Sequence, residues 1–145
     1  MFEERKRILY VDDDPEGSEL VKSAFRSEDV SGNLTAATSV EDALVVIART
    51  NFDLFVFDHC LLSLTGAQLC RVVRGLHPQT PILVYSALAR PIDREMAKKA
   101  GANEYLVKPD DFEMLVPTMR RMLANKQNHI PRPGIFRALA VRASL

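Results

Sequence analysis

The chain has 145 residues, 47% of them hydrophobic and 26% charged, and its 19 basic and 19 acidic side chains cancel to a formal charge of zero. That composition excludes a disordered chain and suffices for one domain with a real core. The two cysteines, Cys60 and Cys70, lack zinc-ligand spacing, and no 18-residue apolar run or signal-peptide core occurs, so the expectation is a soluble, cytoplasmic protein with reduced thiols and no membrane segment.

Strand-length apolar runs alternate with amphipathic stretches. "RILYV" (7–11) predicts a buried strand, and Asp12, Asp13 and Asp14 follow it directly. "GSELVKSAFRS" (17–27) places Leu20, Val21, Ala24 and Phe25 on one helical face. "NLTAA" (33–37) is a weaker strand, after which Ser39 can cap "VEDALVVIART". "FDLFVFD" (52–58) is a third strand, leading through "HCLLSLTG" into the helix "AQLCRVVRGL". "TPILVYSA" (80–87) is a fourth; "PIDREMAKKAG" then has Pro91 in its first turn and Gly101 at its end. "NEYLV" (103–107) is the fifth strand and "DFEMLVPTMRRMLANK" the last helix, in which Pro117 predicts a kink or a late start. Five buried strands alternating with five helices predict an α/β, doubly wound, flavodoxin-like parallel sheet of order 2-1-3-4-5.

In such sheets ligands sit beyond the carboxyl ends of the strands. The first strand ends in Asp12, Asp13 and Asp14, the third in Asp58, the fourth in Ser86 and the fifth in Lys108-Pro109. Two carboxylates ~4 Å apart repel by about 4 kcal/mol at an effective dielectric near 20. Taken singly, an Asp after a strand is an ordinary cap, and a lone Ser or Lys is an ordinary loop residue. Together they offer hard oxygens for Mg2+ and a lysine and hydroxyl for phosphoryl oxygens.

In that order, "VDDD", "DLFVFD" with Gly66 eight residues on, "YSA" and "EYLVKP" resemble the receiver domain of two-component response regulators, chemotaxis-regulator-like, over roughly residues 6–125. The resemblance implies that Asp58 is the phospho-acceptor and acts as a carboxylate nucleophile. It implies Mg2+ on Asp13 and Asp58, with Asp12 acting mainly through a water and the backbone carbonyl of Cys60 adding an oxygen. Lys108 would pair with the carboxylate and then with the phosphoryl group, Ser86 would hydrogen-bond that group, and Tyr105 would change rotamer with it. Asp14 is expected to cap the first helix.

The resemblance further implies a histidine kinase or phosphotransfer protein upstream. A downstream protein would bind the face of the fourth helix, fifth strand and fifth helix, roughly Ile92 to Ala100, Tyr105 and Asp111 to Met122. Phosphorylation and autodephosphorylation would be its only chemistry, so no turnover enzyme is expected. Leu62 stands where the family often has proline, and Thr65 where it often has a polar or acidic residue. Cys60 and Leu88 occupy the positions that help place the hydrolytic water; neither hydrogen-bonds well, so slow autodephosphorylation is expected. His59 is expected to be a partly exposed loop residue, and the cysteines to serve as small hydrophobes.

The receiver is expected to span residues 1–125. Residues 126–145 carry Lys126, Arg132, Arg137 and Arg142 with no acid, and form a tail, linker or short helix. Four dispersed charges do not predict direct nucleic-acid contact, but a homodimer through this segment is open. A haloacid-dehalogenase-type phosphatase would use Asp12 and Asp14 as D-x-D, yet no later G-D-x-x-x-D is present. A nucleotide-binding fold lacks its G-x-G-x-x-G. A receiver-like adaptor that is never phosphorylated, and a receiver fragment of a larger regulator or hybrid kinase, are the remaining alternatives.

Overall fold

A computed structural model describes residues 5–125; the expected tail at 126–145 lies outside the described residues. The elements are β1 (Lys6–Val11), α1 (Pro15–Ser27), β2 (Gly32–Ala37), α2 (Val40–Arg49), β3 (Leu54–Phe57), α3 (Gly66–Leu76), β4 (Ile82–Ser86), α4 (Pro91–Lys99), β5 (Glu104–Val107) and α5 (Phe112–Ala124). The sheet has the order β2-β1-β3-β4-β5, and every pair is parallel. No helix among the described residues is long and apolar enough to cross a membrane.

Strand periodicity divides the core. On one face Ile8, Tyr10, Leu54, Val56 and Leu83 pack on Val21 and Phe25 of α1 and on Leu115 and Met119 of α5. On the other, Leu9, Val11, Phe55, Phe57 and Val84 meet Ala43 and Ile47 of α2, Leu69 and Val73 of α3, and Ala97 of α4. Because helices cover both faces, successive residues of the inner strands are all apolar, which is why they appear in sequence as continuous runs.

Helix starts follow local chemistry. Asp14 accepts the Glu16 N–H at the start of α1, two residues earlier than the sequence pattern suggests, with Pro15 in the first turn. Ser39 accepts the Asp42 N–H, and Thr65 and Gln68 form a reciprocal capping box on α3. Past the end of α4, Gly101 has φ +112°, a left-handed conformation that glycine adopts without a Cβ penalty.

The last helix starts at Phe112 and runs through Pro117, so of the two alternatives there, a kink or a late start, the late start is not found. The missing proline N–H deprives the carbonyl four residues back, that of Glu113, of its helical donor. Glu113 is exposed, so solvent can serve that carbonyl and the cost is small.

Arg74 fastens the far end of the sheet. Its guanidinium donates to the carbonyls of His77, Pro78, Thr80 (2.6 Å) and Gly101 (2.7 Å) and to Asn103 Oδ1 (3.0 Å). That same Asn103 oxygen accepts the Ile82 N–H at 2.8 Å. One side chain of α3 thus ties the start of β4 to the turn before β5. Arg74→Met keeps the apolar stem and loses these bonds; the expected destabilisation is about 2–3 kcal/mol, read as a lower urea midpoint with an unchanged slope. A change below about 0.5 kcal/mol would show that solvent satisfies those carbonyls equally well.

Candidate functional site

The carboxyl ends of the strands meet at one edge, and the backbone fixes each side chain there. Asp12, Asp58 and Lys108 are each the first residue past a strand. Each adds one more rung to the ladder: Asp12 N–H to Ala37 O (3.1 Å), Asp58 N–H to Val11 O (2.9 Å) and Lys108 N–H to Ser86 O (2.8 Å). Their side chains therefore leave from sheet-like backbone rather than from free loop. The Lys108–Pro109 peptide is cis.

Oxygens of Asp12, Asp13 and Asp58 lie within 4.8 Å of one another. Lys108 Nζ stands 2.6 Å from Asp12 Oδ2 and 3.2 Å from Asp58 Oδ2. Asp12 is fully buried and Asp58 nearly so. Burial alone would push the Asp12 carboxyl up. The hydrogen bonds from Lys108, the Asp14 N–H and Tyr10 outweigh it and leave Asp12 below the ordinary carboxylate range. Burial likewise disfavours the Lys108 ammonium, but Asp12 and Asp58 raise it above its ordinary value. Both groups are thus held in their charged forms. One ammonium against three carboxylates leaves an excess of negative charge, and three hard oxygen donors at this spacing suit Mg2+.

Asp58 Oδ1 accepts the Cys60 N–H at 3.1 Å, which orients the carboxylate from below. The chain returns past it at Gly66, whose N–H donates to His59 O at 2.9 Å. A Cβ on Gly66 would run into the Asp58 carbonyl oxygen and lie 2.6 Å from His59 Cα, so only glycine fits there. Asp14 stays with its helix, as expected, and is outside the acidic cluster.

Ser86 and Tyr105 are joined through one backbone unit. Ser86 Oγ, fully buried, accepts the Leu88 N–H at 3.2 Å. The Tyr105 hydroxyl donates to the Leu88 carbonyl at 2.6 Å, so its ring already turns toward the loop after β4. The Arg94 guanidinium lies 5.4 Å from that ring's centroid.

His59 departs from expectation. It is only 4% exposed, and neither ring nitrogen has a hydrogen-bond partner among the described residues. Gly66 approaches its backbone closely, and the imidazole sits edge-on to Tyr105 with centroids 6.4 Å apart. Cys60 is exposed and Cys70 buried. Burial pushes the Cys70 thiol up to about 12; burial, then the nearby Asp58 charge, raises Cys60. Leu62 is 92% exposed. Thr65, one of the departures in the loop, is accounted for by its capping role.

Sequence reasoning missed Tyr10. It sits inside an apolar run, where a tyrosine passes for core, yet its hydroxyl donates to Asp12 Oδ2 at 2.8 Å. The available signal was the two-residue strand period, which puts residues 10 and 12 on the same face.

A family model for the response regulator receiver domain matches residues 8–120. The transcriptional regulatory protein ZraR of Salmonella typhimurium is 33% identical over 118 residues, which are 81% of this chain and 26% of that protein. The transcriptional regulatory protein TrcR of Mycobacterium tuberculosis is 32% identical over 128 residues, 88% of this chain and 49% of that one. Response regulator MprA of the same species is 38% identical over 117 residues, 81% and 50% respectively. The match thus spans about a quarter to a half of the length of these relatives. Among solved structures, a CheY-like receiver domain protein from Methanospirillum hungatei superposes with a TM-score of 0.78 at 25% identity, covering 86% of this chain and 98% of that chain. The BeF3-activated receiver domain of DrrB from Thermotoga maritima gives 0.75 at 25% identity, covering 83% and 99%.

The crowding of three carboxylates has a direct thermal consequence. Without divalent cations, Asp13→Asn should stabilise the fold by about 0.5–1 kcal/mol, since it removes one like charge. Millimolar Mg2+ should raise the unfolding temperature of the native chain but not of Asp13→Asn, because a ligand that binds only the folded state stabilises it. A native unfolding temperature indifferent to Mg2+ would show that the cluster is no cation site.

Proposed function

The chain belongs to the response regulator receiver family, and from that premise we propose that it is a phospho-acceptor switch whose acceptor is Asp58. The observation that carries the reading is the position of Lys108, whose ammonium bridges the carboxylates of Asp12 and Asp58. Asp58 presents Oδ2 to that ammonium while Oδ1 is tethered by the Cys60 N–H. A carboxylate so oriented is a ready nucleophile toward phosphorus in a phosphohistidine or an acyl phosphate. The new Asp58 O–P bond forms as the bond from phosphorus to the histidine nitrogen, or to the acyl oxygen, breaks, and the leaving group departs with the electron pair.

Asp13 and Asp58 would hold Mg2+, with Asp12 through a water and the Cys60 carbonyl as a further oxygen. When bound, the cation neutralises charge on the phosphoryl oxygens. Lys108 then moves its hydrogen bond from carboxylate to phosphoryl oxygen. Ser86 uses its Oγ as an acceptor for Leu88 N–H, so its own O–H remains to donate to the phosphoryl group. Any shift of Ser86 is passed to Leu88, and through the Leu88 carbonyl to Tyr105.

Output is proposed at the face of α4, β5 and α5, where Ile92, Met96 and Met114 are exposed apolar residues. Phosphorylation adds about −1.5 to −2 charge at the pocket and shifts the population between two packings of the Tyr105 region. The proposed partners are a histidine kinase or phosphotransfer protein upstream and an effector protein downstream, in the cytoplasm. The receiver is proposed to be the unit of residues 1–125, with 126–145 as a following segment.

Acetyl phosphate with Mg2+ should add one phosphoryl group, seen by intact mass, and the adduct should require both Mg2+ and Asp58, vanishing in Asp58→Ala. With Cys60 and Leu88 at the two water-placing positions, the adduct should decay over minutes or longer; a half-life of seconds would overturn that part. No adduct at all, together with no binding of beryllofluoride, would favour the adaptor that works without phosphorylation.

A further inference from the structure

We propose that Tyr10 is a positioning residue of the acceptor site: its buried hydroxyl orients the Asp12 carboxylate and thereby sets the affinity for the divalent cation. The inference rests on the proposed function only in taking Asp12 to face that cation.

A tyrosine is not needed for packing at this position. Its ring lies in the core with Ile8, Val21, Phe25, Leu54 and Met119, which phenylalanine would fill as well. A buried hydroxyl is costly unless it is hydrogen-bonded, and among the described residues its one partner is Asp12 Oδ2, at 2.8 Å. Burial and then the Asp12 charge raise the phenol well above its ordinary range, so it is a permanent donor.

A carboxylate offers about four lone-pair sites. Tyr10 and Lys108 occupy Oδ2 (2.8 and 2.6 Å) and the Asp14 N–H occupies one site on Oδ1 (3.0 Å). One site remains, on Oδ1, and donors on both oxygens fix its direction. Asp12 is thereby suited to hold a metal-bound water rather than to wrap the ion. Tyr10 has a second consequence. When Lys108 leaves for the phosphoryl group, Asp12 would be a buried charge with a single backbone donor; the phenol keeps Oδ2 partnered. Tyr10 thus supports both the resting carboxylate and the one Lys108 leaves behind.

The test is Tyr10→Phe in the full chain, titrated with Mg2+ alone by calorimetry. Loss of a group that orients an indirect metal contact typically costs 10- to 100-fold in affinity. The expected result is a Mg2+ dissociation constant raised about 10-fold. The urea midpoint, measured on the same samples, reports whether the variant is folded and by how much it is destabilised. A tyrosine that serves only packing would lower that midpoint and leave the Mg2+ constant where it was; that result overturns the proposal and leaves the phospho-acceptor reading intact. A native chain that binds no Mg2+ overturns both, and is recognised before the variant is made.

Discussion

The structure depends on one ammonium shared between two buried carboxylates. Lys108, at the carboxyl end of the edge strand β5, reaches Asp12 and Asp58, 96 and 50 residues away in sequence. Without it, the closely set oxygens of Asp12, Asp13 and Asp58 would repel with no other charged partner bonded to them among the described residues. The requirement fixes more than the pocket. Asp12, Asp58 and Lys108 stand at the ends of three different strands, and they meet only if β1, β3, β4 and β5 lie side by side and all point the same way. The crossover helices follow, since parallel neighbours must be joined over the faces of the sheet. Fold and site are therefore one constraint viewed from two ends.

Much of this was legible in the chain because it is written in residue types that change abruptly. "RILYV" to "DDD", "LFVF" to "D" and "EYLV" to "K" are each a switch from buried apolar to charged at a strand end, and the structure puts each switch within one residue of the strand boundary. Caps at Asp14 and Ser39 were legible for the same reason: a short polar side chain before an amphipathic run has one favoured use. What stayed hidden involves polar groups that bond to backbone or that sit inside apolar runs. Arg74 binds four carbonyls and an asparagine oxygen, and a carbonyl has no letter in a sequence. Tyr10 counts as hydrophobic until its hydroxyl is located. His59, flanked by loop residues, gave no sign that Gly66 would close over it, because that approach is set by tertiary packing. At Pro117 the local rule offered a late start that does not occur, the affected carbonyl belonging to the exposed Glu113.

Leu88 is bonded both to Ser86 at the pocket and to Tyr105. Its N–H is bound by Ser86, which belongs to the acceptor edge, and its carbonyl by Tyr105, which belongs to the face of α4, β5 and α5. The two bonds lie on one residue, so in the proposed reading a shift of the loop toward the phosphoryl group would move the acceptor of the Tyr105 hydroxyl. This is a mechanical link of two hydrogen bonds, each worth on the order of 1 kcal/mol net. A bias of that size moves a two-state population by roughly an order of magnitude, which is the scale a reversible switch needs.

That link uses only the backbone of Leu88, whereas the lifetime of the phosphoryl group, in the proposed reading, depends on its side chain. The two properties are therefore separable at a single position. In that reading, replacing leucine by a side chain that can hold water would change how long the acceptor stays modified, yet leave the N–H and C=O bonded to Ser86 and Tyr105 in place. Cys60 is arranged the same way: its N–H holds Asp58 Oδ1, while its exposed side chain is free of that duty. In the proposed reading, backbone groups position the acceptor and would transmit its state, and the side chains at the same residues would tune duration. A receiver built so can vary its timing from one chain to another without rebuilding its switch.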